Sequence, residues 1–323
     1  MFETVTAIAP ARLHLGFLDM NGGLGRRFGS LGLAIDHPVT RLSIARDATT
    51  SVEGPEAERA SAHLALLTQH LGLASNYKLI IHEAIPAHAG FGSGTQLALA
   101  VAAALKRLEG LAPNASDDAF LLRRGGRSGI GVGLFERGGL IVDGGRGERT
   151  LTPPVIARLD FPQEWRVILV FDPRIEGIHG PQESASFAKL APFEATAAAE
   201  ICRLVLIKAL PAVVERDIDM FGEAIARIQQ IVGAYFAPAQ GGAPYTSAVV
   251  GQIMAELQMH GAKGPGQSSW GPTGFAFAAS AEEAQRLYSL VQAKAAALGV
   301  DLRICQGINH AAIVKGEPLM ANK

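Results

Sequence analysis

Apolar and polar positions along this chain switch between two periods, and the switches mark its elements. Alternation over 4–9 (TVTAIA), 31–35 (LGLAI), 39–47 (VTRLSIARD) and 77–85 (YKLIIHEAI) predicts strands, whose successive side chains point to opposite faces. Leucines at helical spacing predict a helix over 55–72, and Leu97, Val101 and Leu105 share one face of a helix over 94–109. Ser116 is an N-cap type residue and opens a short helix over 116–123. A glycine-dense stretch (125–147) and the Pro153–Pro154 loop follow. The second half opens on the strand WRVILVF (165–171), with helices near 192–210, 215–231 and 246–260. It closes with a strand (275–279), a helix (281–298) and a strand (300–307). No regular βαβ repeat runs through this order, so it predicts an α+β class in two halves, 1–158 and 159–323.

Composition narrows the function classes. Of 323 residues 48% are hydrophobic and 18% charged, with net charge −1, which gives no global pull toward nucleic acid or an anionic membrane. Cys202 and Cys305 are the only cysteines, too few for a disulfide framework or a zinc site, and fit a reducing interior. The N-terminus carries no basic stretch followed by a long apolar run, so the expected location is the cytoplasm and the expected partners are small molecules.

Four segments carry chemistry. PAHAGFGSGTQLALA (86–100) runs from a strand through Gly90, Gly92, Ser93, Gly94, Thr95 and Gln96 into a helix, the arrangement that offers free N–H groups and a positive dipole end to an anion. No Gly-Lys-Ser/Thr follows, so it is not a Walker A loop. The loop over 10–36 holds Arg12, His14, Asp19, Asn21, Arg26 and Arg27 among glycines. Arginine forks suit phosphate or carboxylate, and Asp19 could hold a divalent cation bridging phosphates. RRGGRSGIGVG (123–133) offers Arg123, Arg124, Arg127 and Ser128 as a second anion site, while Asp143 reads as a turn residue. In KGPGQSSWGPTGFAF (263–277), Trp270 reads either as a packed loop aromatic or as a flat platform, with Gln267, Ser268 and Ser269 as donors. His179 and Glu183 sit close enough in sequence for joint proton work.

Together these segments resemble the GHMP superfamily of small-molecule kinases and decarboxylases. PARLHLGFLD is similar to its N-terminal motif, PAHAGFGSGTQLALA to its phosphate loop, and GQSSWGPTGFAF to its C-terminal Gly-rich motif. With RGGRSGIGVGLFERGGLIVDGG added, the chain most resembles the family of β-ribofuranosylaminobenzene 5′-phosphate synthases. The resemblance implies a two-domain fold, an N-terminal half like domain 2 of ribosomal protein S5 and a ferredoxin-like C-terminal half, with the site in the cleft. It implies condensation of 5-phosphoribosyl 1-diphosphate with 4-aminobenzoate or 4-hydroxybenzoate, releasing CO2 and diphosphate, early in tetrahydromethanopterin biosynthesis. It also implies Mg2+ and a homodimer. On this resemblance His14, Asp19 and Arg26 are expected to carry the chemistry, with Asp19 on the metal. Arg12, Arg27, the 90–96 loop, Arg127, Ser128, His179, Glu183 and 267–270 are expected to bind substrate.

One departure separates the chain from many kinases of the superfamily. They carry Ser-Gly-Ile/Val-Asp before a Gly-Gly strand, and that aspartate serves phosphoryl transfer. Here the run is Ser128-Gly129-Ile130-Gly131, and glycine cannot take a proton. A GHMP-type kinase and a non-catalytic nucleotide-sensing protein remain the alternatives.

Overall fold

The computed structural model describes residues 2–177 and 190–318. Two long strands set its frame. β1 (Phe2–Asp19) and β2 (Phe28–Asp47) pair antiparallel from Thr4 opposite Ala45 to Asp19 opposite Phe28. Much of this hairpin reads as loop in the sequence because glycines interrupt the alternation. At Gly32 the glycine is a packing device, since a Cβ there would lie 2.6 Å from Ile130 Cδ1.

The first sheet runs β11-β1-β2-β4-β3, with β3 at Ser51–Glu53, β4 at Asn76–Glu83 and β11 at Ile313–Pro318. β5 (Leu140–Asp143) pairs with the distal part of β2, and β6 (Val155–Leu159) with β5. Four helices accompany this half: α1 (Ala57–Leu71), α2 (Ser93–Leu108), α3 (Ala115–Leu121) and α4 (Ile130–Arg137). Leu64 and Leu67 of α1 and Leu97, Val101 and Leu105 of α2 join Val5, Ala7 and Ala9 of β1 in one apolar core. α4 lies inside the stretch that sequence alone left as glycine-dense. Its Gly133 brings the helix against the sheet, where a Cβ would meet Val155 at 2.5 Å.

Lys106 of α2 and Asp118 of α3 form an ion pair of 2.6 Å within this packing. Burial pushes the Asp118 carboxyl upward, and Lys106 opposes that push. Lys106→Met is therefore expected to destabilise the protein by about 3–5 kcal/mol in urea unfolding, because it strands a buried carboxylate. The double variant Lys106→Met/Asp118→Leu should recover most of the loss; no recovery would mean that Lys106 acts through packing alone.

The second sheet runs β10-β7-β9-β8, all antiparallel, from β7 (Arg166–Phe171), β8 (Lys263–Gln267), β9 (Thr273–Ala278) and β10 (Asp301–Cys305). Between β7 and β8 lie α5 (Ala195–Leu204), a π-helical turn (Val205–Ala209), α6 (Leu210–Glu215), α7 (Ile218–Phe236) and α8 (Ala248–Met259). α9 (Ala281–Leu298) joins β9 to β10, which completes the β-α-β-β-α-β order of a ferredoxin-like unit. β8 contains Pro265 and carries no strand signal in the sequence. It is an edge strand whose pairing shifts between Lys263 and Gly266, where a missing N–H is tolerated.

A simple division into 1–158 and 159–323 needs correcting. β11 returns to the first sheet and pairs with β1 from Phe2 to Ile8. The halves also share a core: Leu13, Leu15 and Phe17 of β1 cluster with Trp165, Phe221, Ile225 and Phe277. Among the described residues no helix is long and apolar enough to cross a membrane.

Candidate active site

The glycine loop before α2 crosses the floor of a cavity of about 640 Å³ between the two halves. Gly90 (φ 86°) and Gly92 (φ 77°) are left-handed, so glycine is the residue these turns accept without strain. Each glycine faces a different neighbour. A Cβ on Gly90 would lie 2.3 Å from Ser268 O, on Gly92 2.9 Å from Arg12 Nε, and on Gly94 2.8 Å from Arg59 Nη2 and 3.0 Å from Arg124 Nη1. The amides of Thr95 and Gln96 bond to Gly92 O at 3.1 and 3.2 Å. Those of Ser93 and Gly94 lie ahead of them in the first turn, where helix amides have no partner within the helix, and both residues line the cavity.

Five arginines line the cavity: Arg12, Arg59, Arg123, Arg124 and Arg127. Among the described residues no carboxylate lines it. Such a wall attracts an anion carrying several charges. His88 (φ 56°), Arg123 (φ 55°) and Ser269 (φ 58°) are lining residues held left-handed without being glycine. Backbone strain of this kind costs about 1–3 kcal/mol each and is kept where surrounding structure imposes it.

β1 brings two residues to the wall. Its pairing with β2 shifts register between Pro10 and Ala11 and again between His14 and Gly16, bracketing Arg12 and His14. Shifts of this type re-aim side chains. Arg12 donates from Nη1 to Gly90 O at 2.6 Å. His14 is buried, packs against Phe17 with ring centroids 4.3 Å apart and planes tilted by 58°, and leaves Nε2 without a protein partner. Burial first, then Arg12 and Arg127, push its pKa down to about 3, so it stands neutral as a hydrogen-bond acceptor or donor. Ser128 also lines the cavity and donates to Asp143 Oδ2 at 3.1 Å. Asp143 further accepts the amides of Gly129 (2.9 Å) and Gly145 (2.8 Å), and so fixes the arginine-bearing turn from behind, as a turn residue should.

Of the residues expected from sequence, the structure brings Arg12, His14, Gly90, Gly92, Ser93, Gly94, Thr95, Arg127, Ser128, Ser269 and Trp270 to this wall. Others fall elsewhere. Asp19 accepts the amides of Asn21 (2.7 Å) and Gly22 (3.0 Å), turning the β1–β2 connection, and does not line the cavity. Arg26 donates to Gly144 O and Gly145 O, both at 2.7 Å, and Arg27 to Met20 O at 3.0 Å. The tight connection leaves backbone groups without ladder partners, and the nearby charged side chains satisfy them. Gln96 is buried and donates to Gly131 O. Gln267 accepts Thr246 N and donates to Gln240, while Ser268 accepts His14 N and donates to Gly90 O. Ser268 thus clasps the two halves, Gln267 ties together segments of the second half, and neither lines the cavity. Trp270 is 2% exposed and packs on Phe236 at 4.4 Å, so it is a core aromatic at the cavity edge and no open platform. His179 and Glu183 lie outside the described residues.

Sequence reasoning missed Arg59. The signal was faint: the buried stripe of α1 reads Ala60, His63, Leu64, Leu67, and a histidine breaks it one turn after Arg59. A Cβ on Gly131 would lie 3.1 Å from Thr95 Cγ2, so α4 packs closely against Thr95 at the start of α2. Among the described residues no group of three or more His, Cys, Asp or Glu could hold a metal.

Comparison with known proteins agrees with this geometry. The model of the GHMP kinases N terminal domain matches residues 58–135, and that of the GHMP kinases C terminal matches 209–297. The chain is 38% identical over 236 residues to a beta-ribofuranosylphenol 5'-phosphate synthase of Archaeoglobus fulgidus, covering 69% of this chain and 74% of that one. It is 33% identical over 285 residues to the synthase of that name from Methanothermobacter thermautotrophicus, covering 81% and 85%. Among solved structures, L. major mevalonate kinase superimposes with a TM-score of 0.70 at 16% identity, covering 95% of this chain and 96% of that one. Homoserine kinase from Cytophaga hutchinsonii gives 0.67 at 16% identity, covering 98% of each.

Proposed function

Because the chain belongs to the beta-ribofuranosylphenol 5'-phosphate synthase family of the GHMP superfamily, we propose that it condenses 5-phosphoribosyl 1-diphosphate with a para-substituted benzoate, releasing CO2 and diphosphate. The product named for the relatives carries a phenol, which favours 4-hydroxybenzoate over 4-aminobenzoate. The observation that carries the reading is the cavity wall itself: five arginines and a helix N-terminus on the glycine loop, with Gly131 at the place of the kinase carboxylate.

The chemistry follows from that wall. The bond from ribose C1 to diphosphate breaks with its electron pair leaving on oxygen. Arg12, Arg127 and the amide of Ser93 stabilise the departing charge. The ring carbon that bears the carboxylate bonds to C1, and loss of CO2 returns the electron pair to the ring. A para hydroxyl or amino group pushes electrons to that carbon, so the step needs no electron-sink cofactor. His14 and Phe17 form the least charged part of the wall and are placed to receive the ring. Neutral His14 can accept a hydrogen bond from the para hydroxyl at Nε2 and so orient the ring.

Magnesium enters this proposal as a companion of the diphosphate. The hydroxyls of Ser93, Thr95, Ser128 and Ser269 are hard oxygen donors on the lining, and Asp19 is not among the lining groups. When bound there it would neutralise leaving-group charge. A homodimer belongs to the same proposal, supported by Leu206, Ile207 and Val214 of the α5–α6 region, which are 64%, 63% and 67% exposed. So does a cytoplasmic location.

Incubation with phosphoribosyl diphosphate and carboxyl-labelled 4-hydroxybenzoate is expected to give labelled CO2 and diphosphate in equal amounts, and only with both substrates present. ATP-dependent phosphorylation of a small alcohol without CO2 would sink the reading.

A further inference from the structure

We propose that Arg59 and Arg124, at the Gly94 end of the glycine loop, form a second anion subsite that takes the 5′-phosphate of the phosphoribosyl substrate. It is distinct from the part of the loop at Gly92 and Arg12 that faces the leaving diphosphate. This inference rests on the reading above that the substrate is a phosphoribosyl diphosphate.

Three observations converge on one point. First, two guanidinium groups flank the space above Gly94, at 2.8 and 3.0 Å from where a Cβ would stand. Two cations held this close repel each other, and Glu56 answers only one of them, through Arg59 Nη1 at 2.7 Å. Second, Arg124 Nε is buried and makes no hydrogen bond, while burial and the charge of Arg59 both push the Arg124 pKa down. A buried donor without a partner is costly, and an anion would satisfy it. Third, His63, one turn after Arg59 on α1, is 8% exposed with Nε2 unpartnered. Burial, then Arg124, then Arg59 hold its pKa down to about 4. The unfilled hydrogen-bonding capacity at this corner is matched by no carboxylate other than Glu56 among the described residues.

The order along the loop decides which phosphate arrives here. Gly90 abuts Ser268 and Gly271, next to the His14 and Phe17 end where the aromatic acid is placed; Gly92 abuts Arg12; Gly94 abuts Arg59 and Arg124. Ribose C1 must meet the ring, so the diphosphate it carries lies at Gly92, and the 5′ end reaches furthest, to Gly94. The substrate then lies along the loop, read at both ends by separate arginines. A nucleotide would set a purine against this charged corner, which provides no apolar slot for it.

The test uses three variants, Arg59→Met, Arg124→Met and Gly94→Ala, with ribose 5-phosphate and inorganic diphosphate as separate competitive inhibitors of the wild-type and variant enzymes. The Gly94 methyl displaces only the ends of two flexible arginines and meets no left-handed φ, so that variant keeps the test sound where an arginine variant fails to fold. Ribose 5-phosphate inhibition is expected to weaken by about 10- to 100-fold, the loss of a charge-assisted hydrogen bond. Diphosphate inhibition should stay within about threefold. In wild type, ribose 5-phosphate should also raise the His63 imidazole pKa followed by NMR, and Arg124→Met should abolish that rise. Diphosphate inhibition that weakens in step with ribose 5-phosphate would assign the pair to the leaving group and overturn the proposal, as would two unchanged inhibition constants. A wild-type protein that neither binds nor turns over phosphoribosyl diphosphate fails before any variant is made, which separates failure of the parent reading from failure of the subsite.

Discussion

Arg12→Met is expected to lower kcat/KM by about 10²- to 10³-fold while leaving the melting temperature within a few degrees. The side chain donates to Gly90 O and lies against Gly92, so in the proposed function its charge stands where the diphosphate departs. Stabilisation of a charge that grows in the transition state acts on turnover, so most of the loss should appear in kcat. Arg12→Lys keeps the charge without the fork and should recover part of the rate. The measurement is steady-state kinetics beside thermal unfolding of the same samples. Turnover within about threefold of wild type would remove Arg12 from the leaving-group site. A parallel fall in melting temperature would instead mark it as a strut of the glycine loop.

Acidification should unfold this protein earlier than its carboxylates alone would. His14 and His63 are held neutral in the fold, with pKa values of about 3 and about 4 against an ordinary 6.5. Between pH 6.5 and those values the unfolded chain binds protons that the folded chain refuses. Stability therefore rises with pH across that window and is lost as pH falls through it. At about 1.4 kcal/mol per pKa unit, the combined loss by pH 4 is on the order of 5 kcal/mol, a large part of a typical domain's stability. Asp172 works in a different window. Arg174 holds its carboxyl below the ordinary 3.8, so its contribution is present above that value and fades only in stronger acid. Urea unfolding at several pH values between 7.5 and 4.5 checks the expectation, and His63→Gln should flatten the slope. A wild-type stability that is constant over this range would refute it.

Local backbone requirements were legible in the sequence. Gly90 and Gly92 stand where φ is left-handed, and a Gly-rich turn feeding an Ala/Leu helix is recognisable because the turn and the helix start are written in adjacent residues. The α+β class follows from the same kind of local pattern and the family from its motifs. The ferredoxin-like second half was implied only by the resemblance, because β8 carries no local strand signal. Gly94 differs from its neighbours: its φ is not left-handed, and the atoms nearest its missing Cβ are the ends of two arginines, one from α1 and one from the turn before α4.

Which side chains meet in the cavity was decided by pairing between distant segments. Asp19 and Arg26 look like catalytic residues in a glycine-rich loop. The long β1–β2 hairpin turns there, and its unpaired amides and carbonyls claim them. Trp270 looks like an exposed platform among Gly, Pro and Ser, yet α7 brings Phe236 against it and closes it into the core. Arg59 looks like a surface residue at the start of a helix until α1 docks beside Gly94. The sequence alone thus determined the glycine loop and the helix start after it, because φ and capping depend on neighbours along the chain. The tertiary structure decided the charge around that loop, because guanidinium groups reach across several ångströms to partners whose positions only the packed sheet and helices define.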